Sequence, residues 1–409
     1  MTKDDTGDPG MDARGQSQRT LAMKDADQAR LDDLRQRLVN WLVGSVYPLW
    51  ACAGIEPATG AFVECVRQDG VAPPVPRRAR IHPRQIFAFA YAARFGWRGD
   101  VARIVGRGLD YFITHYRRED GLFRALVDAD GRALSEEALL YDQAFVLLGF
   151  AAASMALDAK PQFEQAALDL RIRIERQLRA ADGGFCSRDG VAAPRESNAH
   201  MHLLEACHAW AGMSNDPGWS AWSRDLTELA LSRFGKPGSG AFGEAFTNSW
   251  EPAPSAAGAR VEPGHQFEWA SLLLHGDRAA WTAPREAALR LFEIGERHGV
   301  HEGVAVNALH DDLSIADFGA RLWPQTERLK AALVVAAHTG DDRAWSAALA
   351  AAESILPYLA TKTPGLWFDS RERGGVYCDA PAPASTLYHL VGAIAALDKT
   401  VRDLRRRRA

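Results

Sequence analysis

A glycine followed two positions later by a large apolar residue recurs through this 409-residue chain at nearly constant spacing. The copies are Gly60-Ala-Phe62, Gly121-Leu-Phe123, Gly183-Gly-Phe185, Gly240-Ala-Phe242 and Gly365-Leu-Trp367, with Gly303-Val-Ala305 as a degenerate fifth in order. Successive glycines lie 61, 62, 57, 63 and 62 residues apart. Six units at one period demand a repeat architecture, in which each unit buries its apolar face against its neighbours.

Every unit has the same internal grammar. After the glycine comes a short extended stretch ending in turn chemistry, as in Gly121 to Gly131, where Asp128-x-Asp130-Gly131 reads as a hairpin turn. Two helical patterns follow. The pairs are Glu136–Leu157 with Gln162–Ala180, His200–Met213 with Trp219–Phe234, His265–His275 with Ala283–Gly299, and Gln325–Thr339 with Arg343–Leu359. The first of each pair is more apolar all round and belongs inside; the second has a polar face and belongs outside. Leu31–Val46 and Pro383–Val401 supply the first and last helices. The expected fold is all-α: an (α/α)6 barrel of six helix pairs, with short β-hairpin and loop insertions at one end. An open solenoid shares the period but needs polar caps. The apolar last helix, with Leu387, Leu390, Val391, Ile394 and Leu397, favours closure.

Unusual polar residues recur about two dozen positions after each glycine: Arg84, Asp142, His202, His265, Glu327 and His389. All fall near the start of an inner helix. In a closed barrel the starts of six parallel inner helices meet at one end, so the period gathers these residues into one pocket. Gln85, Asn198, His200, Glu268, Trp323 and His310 belong to the same wall. Helix N-termini offer unpaired N–H groups and partial positive charge, which suit an anionic intermediate. Histidine titrates near neutrality and serves as general acid or base. Trp323, Trp367 and Phe267 suit the apolar face of a sugar ring, while Arg84 and the carboxylates suit its hydroxyls.

Composition narrows the alternatives. A net charge of -4 leaves no electrostatic footprint for nucleic acid. No apolar run is long enough to span a bilayer. Residues 1–24 are polar, lack the apolar core of a signal peptide, and read as a disordered leader. Residues 25–402 then form a single catalytic barrel domain. Residues 403–409, with four consecutive arginines, read as a basic tail and a solvated, frayed helix end. The five cysteines are odd in number and widely spaced with no Cys-x-x-Cys, which argues for reduced thiols in a cytoplasmic protein. A monomer or homodimer is expected, with no cofactor and no metal.

Each candidate has a plainer reading. His115, His275, His298 and His338 fall at outer positions or loops and receive no role. His200 and His202, at i and i+2, face different sides of a helix. His265 and Glu268, at i and i+3, share a face and have spacing compatible with a metal, though hydrogen bonding to substrate is the better use. Asp142 and Glu327 also fit as supports of helix N-termini. Trp323-Pro-Gln325 has the form of a helix start.

At these residues the sequence resembles the N-acylglucosamine 2-epimerase superfamily, which includes cellobiose 2-epimerases and mannose and sulfoquinovose isomerases. The matching segments are Arg84-Gln-Ile-Phe, Tyr141-Asp-Gln-Ala-Phe, Asn198-Ala-His-Met-His-Leu-Leu-Glu-Ala, Glu262-Pro-Gly-His-Gln-Phe-Glu-Trp, Arg321-Leu-Trp-Pro-Gln-Thr-Glu and Ser385-Thr-Leu-Tyr-His. They run in order from about Leu31 to Leu397. The resemblance implies a metal-free mechanism with His389 and His265 as the acid–base pair and His202 as a third histidine near the reacting centre. It further implies that Arg84 binds substrate hydroxyls and that Glu268 orients His265. Phe267 stands at a position that varies among relatives.

The implied reaction interconverts an aldose and a ketose, mannose and fructose being the type, through a cis-enediolate. The substrate is then a monosaccharide, and the Arg195-to-His202 run and the Pro383-to-His389 ending look most like the mannose-isomerase branch. A 2-epimerase acting on N-acylglucosamine, mannose and glucose, or cellobiose shares the intermediate and stays open. A phosphorylated substrate needs a basic cluster, for which Arg77, Arg78 and Arg80 are the candidates, a surface loop being the simpler account. An (α/α)6 glycoside hydrolase needs two carboxylates flanking the bond, such as Asp142 with Glu268 or Glu327, but has little use for three histidines.

Overall fold

The computed structural model describes residues 23–191, 194–275 and 281–408. Most of the leader proposed for residues 1–24 therefore lies outside the described residues. Thirteen α-helices carry the chain: α1 (Asp25–Trp41), α2 (Tyr47–Cys52), α3 (Ile81–Ala90), α4 (Val101–Tyr116), α5 (Leu140–Ala156), α6 (Lys160–Leu178), α7 (Ser197–Ala211), α8 (Pro217–Leu229), α9 (Pro263–His275), α10 (Thr282–His298), α11 (Leu322–Thr339), α12 (Asp342–Ile355) and α13 (Ala384–Arg408). A π-helical turn, Leu42–Val46, joins α1 to α2, so the two act as one outer element. None of these helices is long and apolar enough to cross a membrane.

The odd-numbered helices from α3 to α13 form the inner ring. Each packs on the next, and α13 packs back on α3, so the barrel closes. A second closure runs through the backbone at the end where the inner helices start. Short antiparallel pairings stitch each repeat to the next: Arg77–Arg78 to Leu126–Val127, Leu139 to Arg188, Arg195–Glu196 to Ala245–Phe246, Val261 to Leu309, Ala320–Arg321 to Ser370–Arg371, and Cys65–Val66 to Ala382–Pro383. The last joins the sixth repeat to the first.

The period has a backbone cause. Gly60, Gly121, Gly183, Gly240, Gly303 and Gly365 all have positive φ, between 70° and 98°, a conformation that side chains resist. The turn lets the residue two positions on pair backward, as Phe62 does with Ile55 and Phe123 with Arg117. An inner-helix amide then clamps that residue from inside. Gln143 accepts from the Phe123 N–H at 3.0 Å and donates to its carbonyl at 2.8 Å. Gln266 does the same for Phe242, and Gln325 for Ala305. These side chains satisfy backbone groups that burial has cut off from water.

The inner helices begin within a few residues of the periodicity estimate, with one larger change. α5 starts at Leu140, because Ala133–Ser135 is the second strand of a hairpin with Leu126–Val127. The segment read as a frayed basic end is helical through Arg408; Leu404 is buried, and Arg405 reaches Asp32 of α1 at 2.9 Å. All five cysteines are free thiols.

Candidate active site

A cavity of about 330 Å³ opens where the inner helices start. Arg84, Asn198, His202, His265, Glu268, Trp323 and His389 line it, as expected from the period. Arg78, Arg80, Tyr141, Glu262, Arg321, Asp369, Ser385 and Thr386 line it as well. Of these, Arg78 and Arg80 had been weighed only as a phosphate cluster. Arg77 points elsewhere, to Glu56 and the Tyr111 hydroxyl.

Helix geometry sorts the floor into layers. His202, Glu268, Glu327 and His389 are each the sixth residue of their helices, α7, α9, α11 and α13. His265 is the third residue of α9, nearly one turn closer to the mouth. The three histidines are therefore not equivalent, contrary to the simple offset count. His202 and His389 share the floor with two carboxylates, and His265 stands above it.

Each histidine has its Nδ1 on its own carboxylate. His202 meets Glu205 at 3.0 Å, His265 meets Glu244 at 2.7 Å, and His389 meets Glu327 at 2.8 Å. A carboxylate on Nδ1–H fixes the neutral tautomer and leaves Nε2 for substrate. The environments then set the three rings apart. Burial pulls His389 down to about 4 despite Glu327, and it pulls His202 down to about 4 despite Glu205. Burial opposes the charge on His265 too, but the nearby Glu244 and Glu262 outweigh it and push that ring up to about 9. Near neutral pH the site thus holds one imidazolium and two neutral imidazoles. Two groups with protonation states pushed apart are what acid–base catalysis requires.

Trp323 packs against both working rings, with centroids 5.1 Å from His265 and 5.4 Å from His389. The Arg321 guanidinium lies over the same ring, 5.2 Å from its centroid. Arg84 lies 4.1 Å over the Phe145 ring and donates to the Tyr141 hydroxyl and to the Ser385 carbonyl. Its Nε and the Asn198 Oδ1 are buried with no protein partner, and such groups are satisfied when a polyhydroxylated ligand arrives.

Five expectations need correction. His200 does not line the cavity: its Nε2 accepts from the Phe185 N–H at 3.0 Å, and its Nδ1 bonds the Glu196 carbonyl at 2.8 Å. It is the third repeat's version of the glutamine clamp. Asp142 is fully buried behind Arg80, 2.8 Å from its Nε. Glu327 lies beneath His389 and does not reach the cavity. Trp367 is core, stacked on Trp50 at 5.0 Å. Glu268 does not orient His265: its nearest histidine is His202, at 3.9 Å, while Glu244 holds His265. Among the wall neighbours, Gln85 donates to the Ala384 carbonyl, Phe267 packs on Phe292, and His310 is exposed.

Among the described residues two groups have metal-ligand spacing: His202, Glu205 and Glu268, and Glu268, Glu327 and His389. In both, the histidine Nδ1 is already taken by a carboxylate, and the Lys330 ammonium lies 2.7 Å from Glu327. Burial, reinforced by Glu327 and Glu205, holds Glu268 well above the usual carboxylate range. Both of its oxygens are buried with no hydrogen-bond partner in the protein.

The family described as N-acylglucosamine 2-epimerase (GlcNAc 2-epimerase) matches residues 60–393. A relative from Rhizobium meliloti (strain 1021) named mannose-6-phosphate isomerase is 39% identical over 376 residues, spanning 90% of this chain and 97% of its own. A D-mannose isomerase of Marinomonas mediterranea is 26% identical over 372 residues, 84% of this chain and 92% of its own. A solved D-mannose isomerase superposes with a TM-score of 0.81 at 21% identity, covering 93% of this chain and all of that one.

Proposed function

Because the chain belongs to the N-acylglucosamine 2-epimerase family, we propose that it is an aldose–ketose isomerase of the mannose–fructose type, working by metal-independent proton transfer. The observation that carries this reading is the pairing of one charged histidine, His265, with a neutral one, His389, on either side of Trp323. Names among the relatives favour isomerisation of mannose or its 6-phosphate.

The His265 imidazolium gives its proton to the ring oxygen as the C1–O5 bond breaks, and the neutral imidazole that results takes the anomeric hydroxyl proton, leaving an open-chain aldehyde and a restored imidazolium. His389 Nε2 then takes the proton from C2. The electron pair moves into a C1=C2 bond, and negative charge gathers on O1. Arg84 and the start of the inner helices stabilise that cis-enediolate. Return of the proton to C1, with O1 protonated and O2 deprotonated, gives the ketose. Return to the other face of C2 gives the epimer.

Incubation with mannose in EDTA, with sugars separated by chromatography, tests this. Fructose as the main product is expected, with no loss of rate in the chelator. Glucose as the main product replaces the reading with 2-epimerisation. Inactivation by EDTA removes the metal-free claim, and reducing ends released from an oligosaccharide without isomerisation point to a hydrolase.

A second reading, mannose 6-phosphate as substrate, is favoured by Arg78 and Arg80 at the cavity wall and by the name of the 39%-identical relative. Against it, each of these guanidiniums already has a carboxylate, Glu64 for Arg78 and Asp142 for Arg80. Comparing kcat/KM for the free and phosphorylated sugar decides between them.

A further inference from the structure

A second cavity, of about 630 Å³, opens at the opposite end of the barrel. Its inner wall is a single layer away from the catalytic floor. The ninth residues of α5, α7, α9, α11 and α13 are Leu148, Glu205, Ser271, Lys330 and Gly392, and all five line it. Glu205 and Lys330 thus face this cavity while touching the histidine–carboxylate pairs above. Glu205 gives one oxygen to His202 and accepts the Tyr388 hydroxyl on the other. Lys330 lies 2.7 Å from one oxygen of Glu327, whose other oxygen holds His389 Nδ1 at 2.8 Å.

We infer that Lys330 is a positioning residue for the proton transfers, acting on His389 through Glu327 from the far side of the catalytic floor. The inference rests on the reading of His389 as general base. Glu327 is fully buried, and burial drives a carboxyl group to take up a proton. A protonated Glu327 no longer accepts Nδ1–H, so the imidazole loses its fixed tautomer and its lone pair at Nε2 is no longer assured. The Lys330 charge, the largest influence against it, outweighs that tendency together with the His389 hydrogen bond and holds Glu327 below its ordinary value. The ionisable groups around Lys330 are Glu327 on its own helix, Glu205 from α7, Glu268 and His275 from α9, Tyr91 behind α3 and His389 from α13. Glu327 and Glu205 hold the lysine charged, and its charge in turn depresses His389.

The lower cavity makes this testable without touching the substrate site. The readout is exchange of the mannose C2 proton with solvent deuterium, followed by NMR. Lys330→Ala is expected to lower kcat roughly 10- to 100-fold with KM for mannose little changed. Without the positive charge Glu327 keeps its proton to higher pH, so the acidic limb of the rate profile, which then follows ionisation of Glu327, moves to higher pH. Propylammonium, which restores the missing atoms, enters from the lower cavity and is expected to recover activity saturably, without competing with mannose. Tetramethylammonium, which has no N–H to donate, is expected to give no recovery. Lys330→Met, nearly isosteric, is expected to show the same loss and limb shift if the alanine variant is unstable. A folded variant with wild-type exchange overturns the inference. So does a loss with neither limb shift nor amine recovery, which marks a purely structural lysine. Wild-type protein that exchanges no C2 proton overturns the functional reading and this inference with it.

Discussion

His265 Nδ1 lies 2.7 Å from a carboxylate oxygen of Glu244, twenty-one positions earlier in the chain. Glu244 is the group that most raises this ring, and so keeps it charged for the proposed acid role. Glu244→Gln keeps the shape and removes the charge. Below about 9 the wild-type ring is protonated and competent, and it loses its proton as pH rises through that value. In the variant the alkaline limb of kcat/KM is expected to fall by about two pH units, with a loss of roughly 10-fold at pH 8. An unmoved alkaline limb removes His265 from the acid role.

The base must be neutral to act. His389, held near 4, is expected to give the wild-type enzyme an acidic limb near that value, with a plateau extending up to the His265 limb. His389→Ala is expected to abolish C2 deuterium exchange, by roughly 1,000-fold or more. Retained exchange reassigns the base to His202.

Trp367, read from the sequence as an aromatic suited to a sugar ring, holds the same repeat position as Phe62 and Phe123. The structure shows what that position is for. It is the core plug beneath the positive-φ glycine, here stacked on Trp50 and edge-on to Trp41. Trp367→Ala is expected to cost about 3–5 kcal/mol in denaturant unfolding while leaving KM unchanged. A raised KM in a fully folded variant contradicts this.

Arg78 is partly exposed and tied to Glu64. With mannose as substrate, Arg78→Ala is expected to leave kcat/KM within about twofold, as surface ion pairs contribute little. A selective tenfold loss on mannose 6-phosphate identifies Arg78 as a phosphate ligand.

The period exposed the barrel because one backbone requirement, a glycine with positive φ, repeats in all six units. It also located the cavity, since inner-helix starts converge whatever their side chains. It could not separate residues one turn apart. His265 and His389 lie 25 and 24 residues after their glycines, yet they sit in different layers. The i, i+3 rule linked His265 to Glu268 on the same face, but the true partner, Glu244, stands four residues after its repeat glycine, as Glu64 and Asp369 do, away from the helix that carries His265. The same rule applied to His202 points to Glu205, which is its partner. His200 and Asp142 misled for a common reason: a buried polar residue at a helix start serves backbone and neighbouring charges as readily as substrate. Lys330 carried no sequence signal at all, because a lysine in mid-helix reads as solvent-facing until the ring closes around it.

The six strand seams have a consequence for how the molecule comes apart. A linear array of helix pairs can fray from its ends one unit at a time. A ring stitched at every junction has no such end, and breaking one junction frees two neighbours together. His202, His265 and His389 belong to the third, fourth and sixth units. They therefore share one cooperative transition, and the acid, the base and their carboxylates are lost or kept as a set.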